Sequence, residues 1–261
     1  MQRYKVTVVN YLNSKPFIYG IEQSDLFRDV QLLQEYPSQC AESLINGDTD
    51  VALIPAAMIL RLKEPHIVSH YCIGADGPVQ TVCVFSEVPI EKADNVYLDY
   101  QSSTSVRLFQ VLAKEYWGIS PRWVKAYPGY TSEIKGTTAG VLIGDRTIPF
   151  LDKYPYIYDL SEIWKRHTGL PFVFAAWVAP FRVEQEFVDR FDMALTAGLQ
   201  QRDLIAERNA FLNSNVFSVK EYYRQYIDYE LDEKKKESLH LFLRKVSELE
   251  QWPLPEITFQ V

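Results

Sequence analysis

Four hydroxyl side chains in a row, Ser102, Ser103, Thr104 and Ser105, stand where a predicted strand over 95–99 gives way to a predicted helix over 104–117. First-turn N–H groups have no partner inside a helix, and the helix dipole places partial positive charge there. Extra hydroxyls at that point suit a carboxylate or a phosphate. Helix capping accounts for one or two of the four, and the others point to an anion. A second polar turn, Asn10 to Phe17, follows a predicted strand over 4–9 and carries Asn13 and Ser14. Donors in such a turn face past the carboxyl end of a sheet, where α/β proteins bind ligands. The alternative for Asn13 is a plain cap of the helix that follows.

Two further loops hold candidates. In the run from Gly74 to Thr81, Gly77 before Pro78 permits a sharp turn, and Thr81 can offer its hydroxyl from the next strand. A simple strand connection reads equally well. Gly144 and Asp145 end another predicted strand: Gly144 allows close approach of the backbone to a ligand, and Asp145 reads as a helix cap. The chain has no GxSxG, HExxH, GxxxxGK or GxGxxG motif. Its three cysteines lack CxxC spacing and read as buried thiols, and its four histidines form no ligand set, so no metal or other cofactor is expected.

The elements that must position these groups alternate in type. Strands are predicted over 4–9, 30–35 and 51–55, with helices over 16–23 and 38–46, the latter begun by Pro37 and closed by Gly47. Such βαβ units imply parallel pairing. Residues 67–85 read as strand, and the alternation then restarts: strand 95–99, helix 104–117, strands 122–126 and 139–143, and a buried strand over 172–178. From Arg182 to Glu250 the pattern is helical, with Leu239, Phe242, Val246 and Leu249 on one stripe. This restart predicts two lobes joined by crossovers near 85–93 and 178–182. Residues 1–88 and 180–261 would form the first lobe, 89–179 the second, and the ligand cleft would lie between them.

With 47% apolar residues the chain can bury a large core, and a net charge of −7 argues against a nucleic-acid groove. Arg3 and Lys5 precede only the short apolar run Val6–Val9, too short for a signal peptide, and no apolar run approaches a membrane span. A cytoplasmic protein is expected, with neither nucleic acid nor membrane as partner. A homodimer is an open option.

Six segments carry a resemblance: VNYLNSKPF at 9–17, GDTDVALIPAAM at 47–58, GADGPVQTV at 74–82, LDYQSSTSVRL at 98–108, LIGDRTI at 142–148 and YDLSEIWKRHTGLPFVFAAW at 158–177. Spread in family order over about two-thirds of the chain, they resemble the chorismate dehydratase family of menaquinone biosynthesis. The resemblance implies an α/β, two-lobed fold of the type 2 periplasmic-binding-protein kind, with mixed sheets, two crossover segments and a helical C-terminal tail on the first lobe. It also implies loss of water from chorismate, giving 3-[(1-carboxyvinyl)oxy]benzoate in the futalosine pathway. The alternatives are the sister enzyme that cleaves cyclic dehypoxanthine futalosine, whose turn resembles SPCPNDT rather than YLN, and a non-catalytic binder of a small carboxylate.

On that resemblance the helix start at 102–105 receives one substrate carboxylate, and Gly77 and Thr81 flank the other. Asn13 hydrogen-bonds the departing hydroxyl or orients the base, which can be the substrate's own enolpyruvyl carboxylate. Lys15 stands where arginine is frequent and is expected outside the cleft. Elimination yields an aromatic ring, so the protein need only hold the dianion and place the groups, without a cofactor.

Overall fold

The computed structural model describes residues 4–261, and Arg3 lies outside them. Two sheets organise the chain. The first takes strands β1 (Tyr4–Val9), β2 (Val30–Glu35), β3 (Val51–Pro55) and β4 (His66–Ala75), and later β10 (Phe172–Ala179), β11 (Asp228–Glu230) and β12 (Thr258–Phe259). Its order is β11-β4-β10-β3-β1-β2, with β12 beside β4. The second holds β5 (Val82–Ser86), β6 (Asn95–Leu98), β7 (Arg122–Lys125), β8 (Thr138–Ile143) and β9 (Tyr156–Asp159), in the order β7-β6-β8-β5-β9.

Both sheets are mixed. β1 pairs in parallel with β2 and β3, as the βαβ pattern predicts, whereas β10 runs antiparallel to β3 and β4. In the second sheet β6 is parallel to β7 and β8, and β5 is antiparallel to β8 and β9.

The helices are α1 (Lys15–Gln23), α2 (Pro37–Ile45), α3 (Thr104–Leu112), α4 (Leu160–Thr168), α5 (Gln185–Gln200), α6 (Arg202–Arg208), the single turn α7 (Val219–Glu221) and α8 (Glu233–Glu250). Their ends follow local chemistry. Pro37 opens α2, the Asp159 carboxylate accepts the Ser161 and Glu162 N–H groups to cap α4, and Asp232 caps α8 through the Lys235 N–H. After α3 the chain makes one π-helical turn, 113–117, and stops at Gly118 in the left-handed region.

The crossovers differ from the sequence expectation. β5 belongs to the second sheet and β10 to the first, so residues 76–81 carry the chain across and 160–171 carry it back. Residues 82–88 therefore begin the second lobe, and 172–179 return to the first. Both strands are buried along their whole length, so the pattern in sequence does not reveal which sheet takes them. The tail also departs from a run of helix. Tyr229 alternates inward between Asp228 and Glu230, and that period of two makes β11 an antiparallel edge on β4. Helix α5 lies on α1, while α8 packs on β10 and reaches α3, with the Trp164 indole of α4 donating to Ser238 at 2.9 Å. The tail thus spans both lobes. Leu239, Phe242 and Val246 of its stripe are buried and Leu249 is exposed.

Candidate active site

A cleft of about 570 Å³, its open mouth included, lies between the sheets at the carboxyl ends of β1 and β3. The turn after β1 gives it Tyr11, Asn13 and Ser14, the crossing segment gives Val79 and Thr81, and the start of α3 gives Ser102 to Ser105. Gly144 and Phe174 complete much of the wall. Among the described residues that line it none is charged. A mostly apolar wall with a few converging polar groups is the make-up of small-molecule sites.

Most of the sequence-predicted residues converge here: Asn13, Ser14, Thr81, Ser102, Ser103, Thr104, Ser105 and Gly144 all line the cleft. They divide by task. Ser102 Oγ accepts the Ser105 N–H at 3.0 Å, which is the capping role, and Thr104 Oγ1 accepts the Ala57 N–H at 3.2 Å across the lobes. The hydroxyls of Ser103 and Ser105 have no hydrogen-bond partner among the described residues, so they remain for a ligand. Ser14 Oγ donates to Asn13 Oδ1 at 3.0 Å.

Three predicted residues do not line the cleft. Gly77, at φ +114°, and the exposed Pro78 shape the crossing loop, and Val79 and Thr81 beyond them make the wall. Asp145 turns to the protein: its carboxylate oxygens accept the Leu12 N–H at 3.0 and 3.2 Å, joining the β1 turn to the second lobe. Burial pushes its pKa up, the Leu12 N–H opposes this, and the charge of nearby Lys15 opposes it too. Lys15 is outside the lining, as expected. Gly144 permits a close approach, but by Tyr11: a Cβ there would lie 3.0 to 3.1 Å from three ring carbons of that side chain.

Sequence reasoning missed the groups that hold the wall. The Tyr11 hydroxyl donates to Gln101 Oε1 at 2.5 Å, a third bond between the lobes, and burial raises its pKa. Behind it Arg146 pairs with Asp99 at 2.6 Å, and that carboxylate also accepts the Gln101 and Ile143 N–H groups. Tyr223 and Tyr229 hold the β1 turn by hydrogen bonds to the Leu12 and Asn13 carbonyls, 211 and 216 positions away in sequence, and their only trace in sequence is a cluster of aromatics at 222–229. The cysteines are free and buried, with the Cys40 thiol pushed up to about 12 by burial. Among the described residues no group of three or more His, Cys, Asp or Glu side chains could hold a metal ion, and no helix is long and apolar enough to cross a membrane.

Two mixed sheets with a cleft between them define the class of periplasmic-binding-protein-like folds. The solved structures agree on the fold. The periplasmic aliphatic sulphonate binding protein of Escherichia coli superposes with a TM-score of 0.64 at 11% identity, covering 97% of this chain and 94% of that one. A protein of Archaeoglobus fulgidus reaches a TM-score of 0.70 at 14% identity over 95% and 98% of the two chains. A family model described as menaquinone biosynthesis matches residues 4–248, and the chain belongs to that family. A relative from Thermus thermophilus named chorismate dehydratase is 26% identical over 196 residues, 68% of this chain and 70% of its own.

Proposed function

We propose that this chain is a chorismate dehydratase, a carbon–oxygen lyase that removes water from chorismate to give 3-[(1-carboxyvinyl)oxy]benzoate. The observation that carries the reading is an uncharged cleft in which the start of α3, with the unpartnered Ser103 and Ser105 hydroxyls, faces the Asn13 turn. A dianion held there is neutralised by N–H dipoles and hydroxyls rather than by a cation, which leaves its carboxylates basic enough to take a proton. In this reading one carboxylate sits on the α3 start and Thr81 borders the other. The Asn13 amide hydrogen-bonds the departing hydroxyl as the ring becomes aromatic. An amide stabilises developing charge but is a poor base, so the substrate's enolpyruvyl carboxylate takes the proton. The named relative supports the choice of substrate. The futalosine route and action in the cytoplasm belong to the same proposal.

Incubation with chorismate, followed by absorbance of the aromatic product, tests it. Wild type should turn over, and Asn13→Leu should lower kcat by about a hundredfold or more while leaving the far-UV spectrum unchanged. Tight binding of chorismate without turnover would make the protein a carrier and end the enzymatic reading. A variant with kcat within about threefold of wild type would remove Asn13 from the chemistry.

A further inference from the structure

Three residues at the start of α3 are fixed in three different ways. Ser105 is held through its N–H by Ser102 Oγ, and Thr104 through its hydroxyl by the Ala57 N–H. Ser103 keeps its hydroxyl for the cleft, and its carbonyl is what the protein grips. Arg107, one turn further along the helix, donates from Nη1 to that carbonyl at 3.0 Å. Arg107 itself does not line the cleft.

The guanidinium has two further contacts, both to the C-terminal segment. Nε lies 2.8 Å from Glu250 Oε1, an ion pair off the line of the N–H bond, with the two side chains 17% and 29% exposed. The central carbon of the guanidinium stands 4.6 Å from the centre of the Trp252 ring, which also takes Arg61 of the first lobe at 4.9 Å. Trp252 is tied to the end of α8. Its N–H donates to the Ser247 carbonyl at 3.2 Å, and its own carbonyl accepts from Ser247 Oγ at 2.6 Å. A carbonyl and a carboxylate at the edges and an indole at the face suit a planar fork, whereas an ammonium is a point charge. The Glu250 carboxylate offsets the positive charge, so Arg107 supplies the cleft with geometry more than with potential.

We propose that Arg107 is a positioning residue: its guanidinium, held from the tail by Glu250 and Trp252, fixes the Ser103 main chain and with it the anion-receiving start of α3. The kinetic part of the test rests on the dehydratase reading, and the exchange part does not.

Arg107→Met keeps most of the stem and deletes the fork. Its KM for chorismate should rise about fivefold or more with kcat within about threefold of wild type, because a carboxylate held alike in the ground and transition states is held less well. Arg107→Lys should show the same rise. Glu250→Gln, which leaves the Arg107 charge without its counter-ion, should not lower KM. In the ligand-free protein, hydrogen exchange read by mass spectrometry should be faster in Arg107→Met over residues 99–106 and unchanged over β1 and β2. A wild-type KM in Arg107→Lys, or a lowered KM in Glu250→Gln, would mean that the residue acts by its charge and would overturn the proposal. Exchange unaltered over 99–106, or raised throughout the chain, would overturn it as well. If wild type does not consume chorismate, the dehydratase reading fails and the exchange still decides the positioning. Should Arg107→Met fail to fold, Trp252→Leu removes the support from a half-buried site, and the same local rise in exchange is expected.

Discussion

A methyl group at Gly144 would press on the Tyr11 ring at 3.0 to 3.1 Å, in a backbone conformation of φ +66° that L-residues enter at a cost of about 1–2 kcal/mol. Gly144 therefore sets where Tyr11 stands, and Tyr11 forms part of the cleft wall, held by its bond to Gln101. Gly144→Ala should lower stability by about 2 kcal/mol in urea unfolding and raise KM for chorismate several-fold as the ring is displaced. If both quantities match wild type, the ring is not held by this contact. The sequence marks Gly144 as a place of close approach, because a glycine at a strand end suggests it. It does not say what approaches, since Tyr11 lies 133 positions away. Asp145 is the same case: a cap by local pattern, it serves instead as the acceptor for a distant N–H. Ser102 to Ser105 and Asn13 are legible because their meaning is local, a polar cluster at the end of a strand and the start of a helix.

At the scale of elements, the turn that carries Asn13 is held by the helix it leads into. Helix α1 lies so close to α5 that a Cβ at Gly198 would be 1.9 Å from the Pro16 carbonyl oxygen, and one at Gly20 would be 2.0 Å from that of Ala194. Backbone cannot yield as a side chain can. Gly198→Ala should force the helices apart at a cost of about 3 kcal/mol, with a fall in Tm of roughly 5–10 °C by calorimetry, and should shift the Asn13 turn enough to reduce kcat. A Tm within about 1 °C of wild type would contradict this packing. Most elements are readable from the sequence because periodicity and capping act within a few residues: β1, α1, β2, α2 and β3 fall where they are predicted. The crossovers are not, because a strand buried on both faces looks the same in either sheet. β5 and β10 find their places only through partners such as β8 and β4, which local pattern does not name. The edge strand β11 escapes for a similar reason, a short stretch amid helices that pairs only because β4 leaves an edge open.

Over the whole molecule, the two lobes meet through bonds that cross the cleft, Leu12 to Asp145, Tyr11 to Gln101 and Ala57 to Thr104, and all three end on or beside cleft residues. Any opening of the cleft would have to break them, whereas the crossings would only have to bend. Asp159 ties the crossings together. One of its oxygens accepts the Val79 and Gln80 N–H groups of the outgoing segment at 2.8 and 2.6 Å, and the other caps α4 in the returning one. Gln80 sits between them at φ +64°, a strained value for a residue with a side chain. Burial pushes the Asp159 carboxyl up to about 6 despite its four N–H donors. A carboxyl whose pKa is higher folded than unfolded stabilises the fold most fully below its unfolded value, near 4, and loses that contribution as pH rises through about 6. The contribution amounts to about 3 kcal/mol. Asp159→Asn cannot titrate, and its NH2 would face two N–H donors, so it should be less stable than wild type at pH 4.5. The gap should narrow as pH rises to 7.5, because only wild type loses this contribution. Urea unfolding of both proteins across that range measures the gap directly. A gap that widens with pH would mean that Asp159 holds the crossings as an already charged group, with its pKa below that of the unfolded chain.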